Sequence, residues 1–371
     1  MYGINSFFIK FFIVLLLLYF MLICISGEKE SKFRYILICI ILFVLSAFRG
    51  ETVGGDLEHY IPHFKEISTT NSFTDIFFLY TSNFEPGYTI LLKFISIISP
   101  TNRCYLIVTS AISLIGPFIF IKRYSPWPCF SLFIYMLLGF YSNTFNNVRQ
   151  SMAISIYLIS LSLLLRGKNF KYAIMCLCAS SIHFSAITCL LCLIINNIKL
   201  NSRNFFLMIA GGVSFFYICG ETIFTNLMLN VLPDKYFGYS GGDGNGYGML
   251  GFYIILTVVS YMSYKMFADN INSKSKRYIE LFVKFMPMLV AIQLFAPLFD
   301  SMLRLTYYFY IPIIVLIPNI IKCVPNISVR LFSSVFVFLI LLFYSCHFIY
   351  SYNPEINSNS QGVIPYVFSL E

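Results

Sequence analysis

Charged residues are scarce in this sequence. Aspartate, glutamate, lysine and arginine make up 11% of its 371 residues, and there is one tryptophan. A soluble domain is about one quarter charged, so a water-soluble globular protein is excluded. Phenylalanine (41) and tyrosine (27) are abundant instead, 58% of the residues are hydrophobic, and the mean hydropathy is +0.78. Lipid is therefore the expected solvent for most of the chain.

Motifs of several other protein classes are also missing. No Ala-x-Ala cleavage site follows the apolar run Phe7–Ile25, which predicts a retained membrane span rather than a signal peptide. No His-Glu-x-x-His motif occurs, and the cysteines lie mostly within apolar runs. We therefore expect no cofactor and no metal. The alternative is a metal held by His59 and His63, which share a face of a predicted helix with Glu58 or Glu66.

The net charge of +9 comes from short basic clusters between apolar runs. This pattern is typical of the cytoplasmic loops of membrane proteins, and it argues against a nucleic-acid partner. The clusters expected in the cytoplasm are Lys29/Lys32/Arg34, Lys122/Arg123, Arg166/Lys168/Lys171, Lys199/Arg203 and Lys274/Lys276/Arg277.

The apolar runs predict a single, all-α integral membrane domain over residues 1–371, a polytopic bundle of ten to twelve transmembrane helices. A helix needs roughly 20 apolar residues to cross the hydrocarbon. The candidate spans are Phe7–Ile25, Phe33–Phe48, Cys104–Ile121, Trp127–Tyr141, Val148–Leu165, Phe205–Gly220, Met249–Phe267, Ile279–Phe299, Leu303–Ile321 and Val329–Tyr350.

Two further apolar stretches are ambiguous. Tyr88–Ile98 is too short to span comfortably; a re-entrant segment there, or a different location of Lys122/Arg123, would make the number of crossings consistent with the basic loops. Tyr172–Ile195 is either one long helix or two short ones separated near Ser180–His183.

The segments expected outside the cell carry unusual residues. The loop 49–86 is long enough to be functional, and its segment LEHYIPHFKEI predicts a short interfacial helix on the membrane. The loop 221–248 is rich in glycine but follows no strand, so a flexible lid is favoured over a phosphate-binding loop. The tail 351–371 is the third external segment.

Four ionisable residues are predicted at the outer ends of spans or within them, namely Arg49, Arg149, His183 and Arg304. Ionisable residues at membrane depth are costly and often functional. For a single arginine, anchoring to lipid headgroups is the simpler interpretation. Three external arginines in a chain that otherwise places its basic residues inside favour a functional cluster.

Several short motifs resemble the EpsG family, in the family's order and over nearly the whole chain. They are Phe48-Arg49-Gly50, Val53-Gly54-Gly55-Asp56 with Tyr60, Glu85-Pro86-Gly87-Tyr88, Asn147-Val148-Arg149-Gln150, His183-Phe184-Ser185, Arg304 with Tyr308, and Ile364-Pro365-Tyr366. Gly55 departs from the pattern, since threonine is expected before the aspartate.

The resemblance implies a Wzy-type polymerase of surface polysaccharide in a bacterial inner membrane, with a glycosyltransferase-C-like membrane fold and an active site that faces the periplasm. Its donor and acceptor would be glycans on undecaprenyl diphosphate, and a chain-length regulator is a further candidate partner. The implied substrate-binding residues are Arg49, Arg149, Gln150, Arg304, Tyr60 and Tyr308. Asp56 and His183 are alternative general bases with Glu85 behind them, and a single displacement would invert the anomeric carbon.

Other membrane functions remain as alternatives. A flippase for the same lipids would be expected to show internal repeats and charges along a central path, and neither is evident in the sequence. An O-antigen ligase or an acyltransferase that modifies sugars is a further alternative. The ligase would use the same kinds of arginine and base, so the sequence separates it from a polymerase poorly.

Overall fold

The computed structural model describes residues 32–70, 84–231, 247–296, 301–349, 352–353, 358–359, 363 and 366–369. The helices are α1 (Lys32–Ala47), α2 (Leu57–Thr69), α3 (Pro86–Ile98), α4 (Asn102–Tyr124), α5 (Pro128–Leu137), α6 (Phe140–Asn146), α7 (Val148–Leu165), α8 (Asn169–Ile182), α9 (Leu191–Asn197), α10 (Ser202–Val231), α11 (Tyr247–Phe267), α12 (Ser273–Gln293), α13 (Ser301–Tyr310), α14 (Ile313–Lys322) and α15 (Ile327–Tyr344). Tyr352–Asn353 and Ser358–Asn359 form a two-residue antiparallel pair.

The predicted all-α polytopic fold is confirmed. Within the described residues, five helical segments are long and apolar enough to cross a membrane, namely Asn102–Tyr124, Val148–Leu165, Met249–Asn270, Arg304–Lys322 and Ile327–His347. The total of ten to twelve spans stays a prediction, because the first predicted span, Phe7–Ile25, lies outside the described residues.

Helix α7 lies at the centre of the bundle and α15 at its edge. In α7, 72% of the apolar segment is buried inside the protein, whereas in α15 only 11% is buried. Helix α15 exposes the side chains of Phe332, Phe336 and Phe343. Helices α7 and α4 approach closely at Gly116, whose N–H donates to Ser155 Oγ at 2.9 Å. A Cβ at Gly116 would lie 2.1 Å from the Ser155 carbonyl oxygen, so this packing requires glycine. The middle of α7 therefore packs directly against α4.

Several predicted spans are interrupted. The expected break near His183 is present, because α8 ends at Ile182 and a 3-10 turn, Phe184–Leu190, follows. Between α5 and α6, Gly139 adopts a positive φ of 78°. Helix α10 continues to Val231, beyond the end of the predicted span Phe205–Gly220; residues 232–246 of the predicted loop 221–248 lie outside the described part of the chain.

Helix α3 begins and ends near the same end of the bundle. Glu85, just before it, contacts Arg149 at the start of α7, and Arg103, just after it, donates to the Arg49 carbonyl at 3.1 Å. Its 13 residues extend about 20 Å, less than the thickness of a bilayer core. This arrangement fits the re-entrant alternative for Tyr88–Ile98.

The predicted helix in the loop 49–86 is present as α2, and its apolar face packs on the protein. Tyr60, Phe64 and Ile67 are buried against α3 and α4, whereas Glu58 and Lys65 are exposed. The expectation that this face lies on the membrane is therefore corrected. The amphipathic pattern could not distinguish lipid from protein as the apolar partner.

The described residues 366–369 of the tail return to the start of the loop 49–86. Gly50 N–H donates to the Val367 carbonyl at 2.8 Å, and Ser369 N–H donates to the Phe48 carbonyl at 2.9 Å. The Tyr366 hydroxyl donates to the Leu45 carbonyl at 2.7 Å. These contacts fix the segment that carries Arg49.

Candidate active site

Arg149, in the first turn of α7, is enclosed by three aromatic rings. Its guanidinium carbon lies 4.6 Å from the ring centroid of Phe84, 5.6 Å from that of Tyr60 and 5.8 Å from that of Tyr88. The side chain is 16% exposed. A guanidinium over aromatic faces is stabilised by the ring quadrupoles, more strongly when it is desolvated. We call these four residues the arginine cage.

Glu85 joins the arginine cage to the turn that follows His183. Its Oε2 accepts a hydrogen bond from Arg149 in a buried ion pair, and its Oε1 accepts from Phe184 N–H at 3.1 Å. Gly87 allows this approach, since a Cβ there would lie 2.3 Å from Ser181 Oγ. The glycine in Glu85-Pro86-Gly87 thus brings two distant segments together.

His183 is buried and hydrogen-bonded. Its Nδ1 lies 2.6 Å from Ser185 Oγ, which in turn lies 3.0 Å from the Tyr308 hydroxyl. Tyr308 itself is fully buried and packs edge-on against Tyr157. Ser185 therefore orients the imidazole through Nδ1, and Tyr308 in turn contacts Ser185.

Asp56 reaches the arginine cage through Tyr60. The Tyr60 hydroxyl donates to Asp56 Oδ2 at 3.3 Å, and Asp56 N–H donates to Asn146 Oδ1 at 2.9 Å. Burial raises the pKa of the Tyr60 hydroxyl, with a further increase from Asp56, whereas the charges of Arg149 and Arg304 oppose the shift. Asp56 and both arginines are therefore electrostatic neighbours of Tyr60.

Gln150 and Arg304 meet through the main chain. Gln150 is 1% exposed, and its Nε2 donates to the Arg304 carbonyl oxygen. The Oε1 atom of Gln150 is buried without a hydrogen-bond partner among the described residues. The start of α7 and the start of the span Arg304–Lys322 are thus held together beside the arginine cage.

Arg49 is buried and hydrogen-bonded near the end of α1. It is 1% exposed, and its guanidinium donates to the Ser46 carbonyl at 2.6 Å and to the Val53 carbonyl at 3.2 Å. Its guanidinium carbon lies 5.0 Å from the centroid of Phe145, in the helix that precedes Arg149. The structure thus gives Arg49 internal partners at the end of α1 and in the loop that follows it.

The histidines of α2 do not converge on a metal-binding arrangement. Within the residues that the structure describes, no three histidine, cysteine, aspartate or glutamate side chains are grouped to hold an ion. His59 points outward beside Glu58, whereas His63 is buried, with its ring centroid 4.2 Å from that of Phe84. The absence of a metal stays a prediction.

The site contains residues that sequence reasoning missed. Phe84 was not predicted as a site residue, and Tyr88 and Ser185 were noted only within motifs. Their proximity to the motifs was a weak signal, because adjacency along the chain does not say which ring faces an arginine 61 or more residues away. The roles of Asp56, Glu85, His183, Arg49, Arg149, Gln150, Arg304, Tyr60 and Tyr308 stay predictions.

One of three comparisons with known proteins identifies a family for this chain. No curated protein and no solved structure gives a match to the chain. The sequence model of the EpsG family, in contrast, matches residues 32–368, which include every described helix and the described residues of the tail up to Phe368. Members of this family are Wzy-like polysaccharide polymerases. The chain therefore belongs to the EpsG family and is a membrane protein of the polysaccharide-polymerase type.

Proposed function

We propose that the protein joins undecaprenyl-diphosphate-linked oligosaccharide repeat units at the periplasmic face of a bacterial inner membrane, as in the synthesis of O antigen, capsule or exopolysaccharide. The observation that carries this proposal is the arginine cage. It presents a desolvated, aromatic-enclosed cation in the first turn of a central span, beside two acidic residues and a histidine.

A buried arginine suits the leaving group of this reaction. Glycosyl transfer from a lipid diphosphate develops negative charge on the departing oxygen, and guanidinium donors placed in a low-dielectric site stabilise such charge strongly. Arg304, whose charge also acts on Tyr60, supplies a second cation near the same position. Two arginines provide this stabilisation without a metal, so we propose a metal-independent transfer.

The acceptor hydroxyl needs a base, for which the site offers two candidates. Asp56 is partly exposed and is held by Asn146 and Tyr60. His183 is held at Nδ1 by Ser185. Either group would remove the proton as the hydroxyl attacks the anomeric carbon. One displacement of this kind would invert the configuration.

The distribution of basic residues supports the outward orientation. The rings of Tyr124 and Tyr278 lie 5.0 Å apart, so the clusters Lys122/Arg123 and Lys274/Lys276/Arg277 lie near one another. Arg149 and Arg166 stand at opposite ends of α7, which is about 27 Å long. With the basic clusters in the cytoplasm, the arginine cage faces the periplasm.

The proposal is tested with purified protein and lipid-linked repeat units, in the absence of ATP and nucleotide sugars. We expect a ladder of longer lipid-linked glycans, undiminished by EDTA. A reconstituted protein that moves the units across vesicles without lengthening them would be a flippase. Transfer of glycan only to a different lipid acceptor would identify a ligase, and loss of the ladder in EDTA would contradict the metal-independent mechanism.

A further inference from the structure

Glu85 occupies the position in which an anionic ligand of Arg149 would bind. One oxygen of its carboxylate accepts from the guanidinium, and the other accepts from the main-chain N–H of Phe184 at 3.1 Å. A guanidinium and a main-chain N–H are the kinds of donor that bind phosphate oxygens in proteins. The carboxylate thus bridges two groups that are suited to a phosphate.

Arg149 does not depend on Glu85 for its placement. The rings of Tyr60, Phe84 and Tyr88 surround its guanidinium, and α7 fixes its main chain. Arg149 Nη1 donates to Glu85 Oε2, whereas Glu85 Oε1 accepts from Phe184 N–H, and Arg149 Nε has no hydrogen-bond partner among the described residues. Glu85 therefore supplies countercharge more than orientation.

The countercharge is needed only while the site is empty. A buried guanidinium without an anion is strongly destabilised, so the unoccupied arginine cage requires a negative partner. A diphosphate arriving at the same guanidinium would repel Glu85, since two anions that share one cation disfavour each other. The substrate and Glu85 are therefore competitors.

We propose that Glu85 is an internal counter-ion that the substrate diphosphate displaces, and that its two carboxylate oxygens mark the positions of two phosphate oxygens. This inference rests on the proposed function, because it takes the ligand of Arg149 to be a lipid-linked diphosphate. Displacement also frees Phe184 N–H, the neighbour of His183, to donate to the phosphate. Substrate binding is thereby coupled to the turn that carries a candidate base.

The test measures binding of undecaprenyl diphosphate to the full-length protein in nanodiscs at fixed ionic strength. We expect Glu85→Gln to lower the Kd about fivefold or more, because an amide competes poorly for the guanidinium. Glu85→Ala should change the Kd in the same direction, and it serves if the glutamine variant does not fold. Glu280→Gln is the matched control: Glu280 accepts from the Tyr264 hydroxyl at 2.8 Å, and its variant makes the same charge change outside the arginine cage.

The Arg149→Ala variant distinguishes a failure of the counter-ion proposal from a failure of the proposed function. Arg149→Ala should raise the Kd about tenfold or more. The double variant Arg149→Ala/Glu85→Gln should have the same Kd as Arg149→Ala alone. If Arg149→Ala weakens binding and the Glu85 variants bind as the wild type does or more weakly, Glu85 is not a displaced counter-ion, while the proposed function stands. If Arg149→Ala binds as the wild type does, the arginine cage is not the diphosphate site, and both proposals are overturned.

Discussion

The guanidinium carbon of Arg49 lies 5.0 Å from the centroid of the Phe145 ring, in an interior where Arg49 is 1% exposed. Its guanidinium donates hydrogen bonds to the carbonyl oxygens of Ser46 and Val53. Arg49 therefore links the end of α1 to the loop that carries Asp56. We propose that it positions this loop, and that Arg149 makes the direct contact with the diphosphate.

Replacement of Arg49 should destabilise the protein as a whole. Arg49→Ala leaves buried carbonyl oxygens without donors, at a cost of about 2–4 kcal/mol. Thermal unfolding of the purified protein measures this loss as a lower midpoint. Arg203→Ala, at an exposed position, is the control and should unfold like the wild type. A fully stable Arg49→Ala protein that makes no polymer would instead favour direct diphosphate binding by Arg49.

The buried His63 should make stability depend on pH. Burial, followed by the charge of Arg149, lowers its pKa from 6.5 to about 4. Between these pH values His63 is protonated in the unfolded chain but not in the folded chain. The free energy of unfolding is therefore unaffected by this group above pH 6.5, and it falls as the pH decreases towards 4. Across this pH range the free energy of unfolding should decrease by about 3 kcal/mol.

Unfolding measured between pH 7 and pH 4 checks this expectation. His63→Phe, which keeps a ring against Phe84, should remove most of the pH dependence in this window. His59→Gln, at an exposed position of the same helix, should leave it in place. An unchanged slope in His63→Phe would show that another group is responsible.

Two adjacent glycines offer a matched pair of substitutions. Gly54 has a φ of 110°, and a Cβ there would lie 2.2 Å from the Phe145 carbonyl oxygen. At Gly55 the nearest atom, Asn146 Oδ1, would lie at 3.4 Å, an ordinary contact. Gly54→Ala should therefore displace Asp56 and reduce polymerisation by about tenfold or more, whereas Gly55→Ala should be nearly silent. Equal activity of the two variants in a polymerisation assay would contradict this view of the loop.

The same comparison explains a departure from the family pattern. Threonine is expected where this chain has Gly55, and a Cβ at Gly55 would make only an ordinary contact with Asn146 Oδ1 at 3.4 Å. No such freedom exists at Gly54. The geometry around the loop thus accounts for which of the two glycines can vary.

Elements bounded by strong local signals could be predicted from the sequence. Helix α7 has the predicted bounds Val148–Leu165, because an apolar run is flanked by Asn147 and Arg166. The break at His183 was visible in the polar residues Ser180 and Ser181. Helix α2 was predicted from its amphipathic spacing.

Packing partners could not be predicted in the same way. An arginine at the end of a span has the same sequence context whether it faces lipid headgroups, as the anchoring alternative holds, or the interior, as Arg49 does. The aromatic rings around Arg149 come from α2 and from the start of α3, and nothing local to Arg149 specifies them. These features arise from tertiary contacts between segments that are distant in the chain.

The two candidate bases can be separated by replacing each with a neutral amide side chain. Asp56→Asn and His183→Gln each keep hydrogen-bonding capacity but remove proton acceptance at the relevant pH. Loss of the base should slow single-turnover transfer by about a hundred- to ten-thousand-fold, whereas loss of the other group should cost less than about tenfold. Comparable full activity in both variants would exclude both residues as the base.

Polymerisation by Arg149 variants tests the central claim most directly. With purified protein and lipid-linked repeat units, we expect Arg149→Ala to reduce ladder formation by about a hundred- to a thousand-fold, since a donor to the developing charge is lost. Arg149→Lys keeps the charge but loses the planar fork, so it should also fail, whereas Arg203→Ala should produce a normal ladder. A normal ladder from folded Arg149→Ala protein would contradict the account, because the arginine cage would then have no part in the transfer.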